Sequence, residues 1–275
     1  MYMRGHALGL AAAIFILPLA AAAQQPGTVG TLTVAVPQLP ALSSDCRSKR
    51  VAGDLFRRPL PALRRAIRAG RQVKVLAIGS SSTVGIGASS PSATYVAKLE
   101  QTLEGTFKGL DFDVIGRGRA GEEAQGAADR MKREVEAIRP DLVVWQVGTN
   151  DALRHVSLDR FKQCLKTTLA WLRQQKIDVL LVDPQYGDAL AKDEYYEQVV
   201  AAVAEVAGQA GVLLVDRFKA MRELHRQRGD QFYLAADHLH MNDTGHRCMA
   251  EQLARTIVAG LLDAEADSGQ PVFYP

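Results

Sequence analysis

Val73-Lys74-Val75-Leu76-Ala77-Ile78-Gly79-Ser80-Ser81-Ser82-Thr83-Val84-Gly85 is a short apolar run that stops at a glycine and passes into small hydroxylated residues. A continuous apolar run of this length, bounded by turn residues, reads as a strand buried on both faces. The small residues after it permit a tight strand-to-helix turn that lifts a hydroxyl into solvent. The same pattern recurs along the chain. Apolar runs lie at Phe112–Ile115, Leu142–Val147, Val179–Val182 and Val212–Val215. Amphipathic helical stretches fall near Ala93–Leu103, Glu122–Ile138, Leu158–Gln174 and Tyr195–Ala207, and a last helix runs from about Asn242 to Leu262. Five short strands separated by helices predict an α/β domain with a five-stranded parallel sheet covered on both faces. Such sheets bind ligands outside the carboxyl ends of their strands. Chemistry is therefore expected just after Ile78, Ile115, Val147 and Val182.

Upstream of this region, Met1–His6 carry one Arg and one His, and Ala7–Ala23 form an apolar run broken by Pro18 and ending in small residues. That is the pattern of a secretory signal peptide with Ala21 and Ala23 as the small pair, and it is preferred over a transmembrane anchor. The expected organisation is a signal peptide at 1–23, an irregular arm at 24–60, a catalytic domain at 61–265 and a tail at 266–275. It places the mature protein in the periplasm or outside the cell, with no stable membrane insertion. With 33 Lys and Arg against 30 Asp and Glu, the net charge of +3 gives no ground for a nucleic-acid partner. One local basic stretch, Arg57–Lys74, contains Leu60, Leu63 and Ile67 at helical spacing, so it reads as a surface helix with a solvated basic face, with attraction to an anionic wall polymer or lipid as the alternative. Pro61 near its start and Gly70 past its end frame that helix.

Three cysteines, Cys46, Cys164 and Cys248, sit in a chain expected to reach an oxidising compartment. Cys164 lies within the apolar stripe of Phe161, Leu165 and Leu169 and suits a buried thiol. Cys46, in the irregular arm, and Cys248, on the last helix, are left to pair with each other.

Four segments carry chemistry. In Gly79–Gly85 a hydroxyl could serve as nucleophile; a phosphate loop is the rival, but its Gly-Lys-Ser/Thr ending is missing. Gly116-Arg117-Gly118-Arg119-Ala120-Gly121 has Gly-x-Gly-x-x-Gly spacing, yet the next strand runs into Val147-Gly148-Thr149 without the carboxylate a dinucleotide site needs. A glycine loop there can instead offer a backbone N–H to an oxyanion. Asn150, after the third apolar run, is a second possible donor or simply a helix cap. In Asp237-His238-Leu239-His240, a carboxylate three residues before a histidine can orient its ring. Metal binding is the alternative, but no fourth ligand has recognisable spacing.

In order and spacing these segments resemble the SGNH hydrolase family, also called the GDSL family. Ser81 stands in the nucleophile's place within Gly79–Gly85, Gly118 is the glycine of the second block, Asn150 closes Gly148-Thr149-Asn150, and Asp237 and His240 form the last block. Ser80 stands where the family has Asp, and Gly116 where it has Asn. The resemblance implies a flavodoxin-like α/β/α sandwich and an SGNH-type serine esterase that needs no cofactor or metal. Ser81, Asp237 and His240 would be its triad, with an oxyanion hole from Ser81, Gly118 and Asn150. The substrate expected is a small ester or O-acylated glycan, with acetyl preferred. Longer acyl chains, or glycan binding without cleavage, are the alternatives. Ser80–Ser92 holds only Val84 and Ile86 as large apolar residues, while Phe232, Tyr233 and Leu234 could form an apolar wall over the site. His155, His225 and His246 read as surface or capping residues. His238 could line the pocket, and Tyr186 could either line it or pack a turn.

Overall fold

A computed structural model of the protein describes residues 38–47 and 59–268, with side chains to 262. Five parallel strands form one sheet: β1 (Val73–Gly79), β2 (Phe112–Gly118), β3 (Leu142–Gln146), β4 (Asp178–Val182) and β5 (Leu213–Val215), in the order β2-β1-β3-β4-β5. The helices are α1 (Pro61–Arg68), α2 (Ser81–Val84), α3 (Tyr95–Thr106), α4 (Ala124–Ile138), α5 (Thr149–Leu153), α6 (Leu158–Gln174), α7 (Glu194–Ala210), α8 (Arg217–Arg228) and α9 (Asp243–Ser268). This is the expected flavodoxin-like sandwich. Every residue of β3 and β4 is buried, which is why Leu142–Trp145 and Val179–Val182 are continuously apolar rather than alternating. Trp145, Tyr95 and Tyr196 are the largest side chains sealed in the core.

The strand order places the site. From β1 the sheet grows one way to β2 and the other way to β3, so the crevice at the carboxyl ends of β1 and β3 is the topological switch point. Ser81 follows β1 and Asn150 follows β3. In register, Gly79 lies opposite Gly118 and Ile78 opposite Trp145, so the three strand ends finish nearly level.

The leader expected at 1–23 lies outside the described residues. The arm is described over 38–47, where it packs along α9: Ser43 N–H donates to Glu251 (2.8 Å), and Arg247 pairs with Asp45 (2.7 Å). Cys46 is bonded to Cys248, and Cys164 is free and buried. In α1, Leu63 and Ile67 face the core as their spacing required.

Candidate active site

The three consecutive serines after β1 are not equivalent. Ser80 and Ser82 are each 3% exposed. Both the amide (2.9 Å) and the hydroxyl (3.0 Å) of Ser80 donate to Gln146 Oε1 at the end of β3. The Ser82 hydroxyl accepts from Arg217 Nη1 (3.3 Å) and donates to Gln185 Oε1 (3.3 Å). Ser81, at the start of α2, is only partly buried, and its hydroxyl has no hydrogen bond among the described residues. Two serines are thus engaged in fixing the turn, and the hydroxyl of the one between them is not.

On a second loop, Asp237 closes around the residues after it. One carboxylate oxygen accepts the amides of Leu239 (3.0 Å) and His240 (2.9 Å), and the other meets His240 Nδ1 at 2.6 Å. Desolvation pushes the Asp237 carboxyl up, but these hydrogen bonds outweigh it and hold the group at about 2. Asp237 is therefore an anion throughout the working pH range. With Nδ1 committed, His240 presents only Nε2 to the site.

The two loops touch. A Cβ on Gly87 would come within 2.2 Å of the Met241 carbonyl and 3.1 Å of His240 Cβ. The structure joins Asp237 to His240 directly; it brings Ser81 and His240 onto abutting loops without a hydrogen bond between them.

A third loop, 116–123, is held from two sides. Arg130, buried in α4, forms a two-pronged ion pair with Glu122 (2.8 and 2.6 Å) and donates to the Arg117 carbonyl (2.8 Å). From α5, Asn150 Nδ2 donates to the Glu122 carbonyl (2.9 Å) and Arg154 to the Gly121 carbonyl (2.6 Å). Asp151 accepts the Ala124 amide at the start of α4 (3.0 Å), and its burial lifts its carboxyl to about 6. One amide hydrogen of Asn150 is thereby used to fix the side chain, and the other remains available.

The loop's glycines differ in what they can offer. Gly118 is a close-approach residue: a Cβ there would lie 2.3 Å from the Val84 amide nitrogen. Its own N–H faces the open edge of β2, because the next amide, Arg119, donates to Gly79 on β1 (2.9 Å) and successive amides of a strand point opposite ways. Gly121 is the third residue of a turn closed by the Glu122 amide on the Arg119 carbonyl (3.1 Å). Its φ of +72° is the conformation that such a turn reserves for glycine.

His155 is exposed, paired with Asp193 (2.9 Å) and stacked on Tyr195. His225 pairs with Asp230 (2.6 Å). His246 corrects the surface or capping reading: it is 0% exposed, accepts the Tyr95 amide on Nδ1 (3.2 Å) and faces the Ile86 carbonyl with Nε2 (3.4 Å). Burial pushes its pKa down, so it sits neutral beneath the loop that follows α2. His238 is exposed with φ of +54°. Tyr186 packs a turn, edge-on to Phe218. Tyr233 and Leu234 are buried in the core rather than forming an apolar wall, and the partly buried Phe232 carries the Arg228 guanidinium over its ring (4.4 Å). Gln146, Gln185, Arg130 and Arg217 also hold these loops; Gln146, Gln185 and Arg217 meet partners far along the chain, which no spacing signals, and Arg130 reaches Glu122 and Arg117 across 8 and 13 residues, from the helix to the turn before it.

Comparison with known proteins bears on what this arrangement does. The Esterase TesA of Pseudomonas aeruginosa is 28% identical over 170 residues, covering 60% of this chain and 78% of that protein. A crystal structure of TesA superposes with a TM-score of 0.58 at 26% identity, covering 67% of this chain and 97% of that one. A variant of Axe2, an acetyl xylan esterase from Geobacillus stearothermophilus, gives 0.59 at 25% identity, covering 67% and 94%. These relatives are esterases, and they support a serine ester hydrolase activity in general. The family itself differs from the one the sequence blocks resemble. Residues 45–263 match the Non-GDSL lipase-like family. That match overturns both the SGNH (GDSL) assignment and the description of the chain as an SGNH-type esterase. The departure is visible at Ser80, where the GDSL block has Asp: here a buried serine bonded to Gln146 fixes the turn. By this match over most of its length, the chain belongs to the Non-GDSL lipase-like family.

Proposed function

We propose that the protein hydrolyses small carboxylic esters with Ser81 as nucleophile, His240 as general base and Asp237 as the group that orients it. The observation that carries this reading is the free hydroxyl of Ser81 between two buried, fully engaged serines, on a loop abutting the Asp237–His240 pair. In the reaction, Ser81 Oγ attacks the acyl carbon as His240 Nε2 takes its proton. The imidazolium, held by Asp237, then returns that proton to the departing alcohol. Water repeats the sequence on the acyl-enzyme and frees the acid. The oxyanion is held by the Ser81 amide and the free amide hydrogen of Asn150. For the third donor, the turn residue Gly121, next to the carbonyl that Asn150 grips, is better placed than Gly118, whose N–H faces away from β1. Removing one such donor costs about 10²–10³ in rate.

A short acyl group, acetyl first, fits best. Support comes from the burial of Tyr233 and Leu234, which takes two of the three large apolar residues of that loop out of a wall, and from the polar rim of Arg119, Glu123 and Arg154, suited to sugar hydroxyls. The name of the Axe2 esterase agrees with an acetylated glycan as substrate. Longer acyl chains are favoured by one observation: Val84, Ile86 and Leu153 are exposed large apolar residues close in sequence to Ser81 and Asn150. Rates on p-nitrophenyl esters of two to twelve carbons decide between them. A kcat/KM falling at least about tenfold from acetyl to octanoyl supports the short-acyl reading, whereas a rise toward the ~0.8 kcal/mol per methylene of an apolar groove overturns it. We place the protein in the periplasm or outside the cell. The Cys46–Cys248 bridge supports an oxidising compartment, and N-terminal sequencing of the mature protein tests cleavage after Ala23.

A further inference from the structure

We infer that Gln185, in the loop after β4, is a positioning residue that sets the approach of His240 to Ser81. The inference deepens the ester-hydrolase reading and rests on it. Among the described residues, neither Ser81 nor His240 hydrogen-bonds Gln185; each has a chain neighbour that does. The Gln185 side chain accepts from Ser82 on the nucleophile's loop (3.3 Å), and its Nε2 donates to the Leu239 carbonyl on the base's loop. The residue is 3% exposed, and its own carbonyl is held by the Tyr196 hydroxyl (2.8 Å).

The hydrogen bonds run in one direction. Arg217, buried, can only donate, so Ser82 Oγ accepts from it and must turn its own proton to Gln185 Oε1. The amide is then fixed: turned over, it would set its oxygen against the Leu239 carbonyl and its NH₂ against the Ser82 proton. Arg217 is itself anchored, with Nε on the Asp183 carbonyl (3.0 Å). A chain of donors thus leads from a buried cation through Ser82 and Gln185 to the residue before His240. It spans two loops that are also joined by the Gly87 contact, while α9, which follows the second loop, holds the first through Asp243, whose carboxylate takes Ser89 (2.7 and 2.6 Å), and through His246 at the Ile86 carbonyl (3.4 Å). Proton transfer between Ser81 and His240 needs hydrogen-bond reach, about 2.6–3.2 Å, and this strut is what sets that separation.

Kinetics on the full chain test the inference, with each rate divided by the active sites titrated to completion with a fluorophosphonate. Gln185→Leu should lower kcat on p-nitrophenyl acetate about 30-fold with KM within about twofold, since misplacing a reacting pair by about 1 Å can cost 10². Ser82→Ala should lower it only about threefold, because the Leu239 bond remains. The double variant should be no slower than Gln185→Leu alone, because both changes break one chain. Gln185→Glu, which keeps an acceptor for Ser82 and offers Leu239 no donor when ionised, should behave like Gln185→Leu. A variant that merely folds poorly shows fewer sites, each at full speed. If Gln185→Leu yields no sites, Gln185→Glu and its combination with Ser82→Ala carry the same comparison. A kcat per site within about threefold of wild type in both Gln185 variants, or losses that multiply in the double, would overturn the strut. A wild-type protein that hydrolyses no ester, or a Ser81→Ala variant at full activity, instead sinks the ester-hydrolase reading and the strut with it.

Discussion

Replacing each of the three serines by alanine should separate stability from activity. Ser81 makes no hydrogen bond among the described residues, so Ser81→Ala should leave Tm within about 1–2 °C, a surface-type change within ±0.5 kcal/mol. It should remove catalysis, with kcat down by about 10⁴ or more. Ser80→Ala deletes one neutral hydrogen bond to Gln146, whose oxygen keeps the Ser80 amide. That is worth about 1 kcal/mol, or about 2–4 °C in a domain of this size, with kcat nearly unchanged. Ser82→Ala strands a buried guanidinium donor and a buried amide oxygen at once. The cost should be about 2–3 kcal/mol, some 4–12 °C, with at least about a third of kcat retained. Calorimetry and p-nitrophenyl acetate kinetics on the same three preparations give both numbers. If Ser80→Ala or Ser82→Ala is the dead enzyme at unchanged Tm, or Ser81→Ala is the destabilised one, the partition of the three hydroxyls is wrong.

Asp237→Asn should reduce kcat by about 10²–10⁴ with little change in KM, since the His240 tautomer is lost but the binding surface is kept; a loss confined to KM would remove Asp237 from its role. Asp151 is buried and held at about 6, above its unfolded value near 3.9. The folded state therefore binds more protons than the unfolded chain between about pH 4 and 6, and this group's contribution falls as pH rises through that window. Relative to wild type, Asp151→Asn should gain on the order of 2 kcal/mol on going from pH 4 to pH 7; a pH-independent difference in Tm would refute the burial argument. Breaking the Cys46–Cys248 bridge, whose partners are 202 residues apart, should cost about 2–4 kcal/mol, within the roughly 5 kcal/mol that loop closure allows. Cys46→Ser with an unchanged Tm would show that the bridge adds nothing.

The sheet was legible because buried parallel strands are written as unbroken apolar runs, and α6 was bounded correctly at Leu158–Gln174 by its stripe of Phe161, Leu165 and Leu169. α8 went unread. Its Arg217–Arg228 sequence is dominated by Arg, Lys, Glu and His, so the Phe218, Met221 and Leu224 face is thin, although Asp216 caps its start by accepting from Lys219 (2.9 Å). α2 and α5 are a single turn each, too short for any period to show. The contact between Asp237 and His240 is legible in the sequence because it is local, three residues apart. Gln185 and Arg217 meet Ser82 across 103 and 135 residues, and no spacing encodes such a pairing. His246 was read as a capping residue because it stands in the first turn of α9. Only the packing of α3 against α9, which brings the Tyr95 amide to its ring, reveals it as buried. The glycine loop was legible as a loop, but which of its N–H groups are left free of β1 depends on the register of β2 with β1.

The most direct measurement is covalent capture. The wild-type protein, treated with a fluorophosphonate until ester hydrolysis stops, is digested and mapped by mass spectrometry. The expected result is one adduct per chain, on Ser81, absent from Ser81→Ala and formed much more slowly in Asp237→Asn. An adduct on any other residue, or continued hydrolysis with no adduct at all, would contradict Ser81 as the nucleophile of this ester hydrolase.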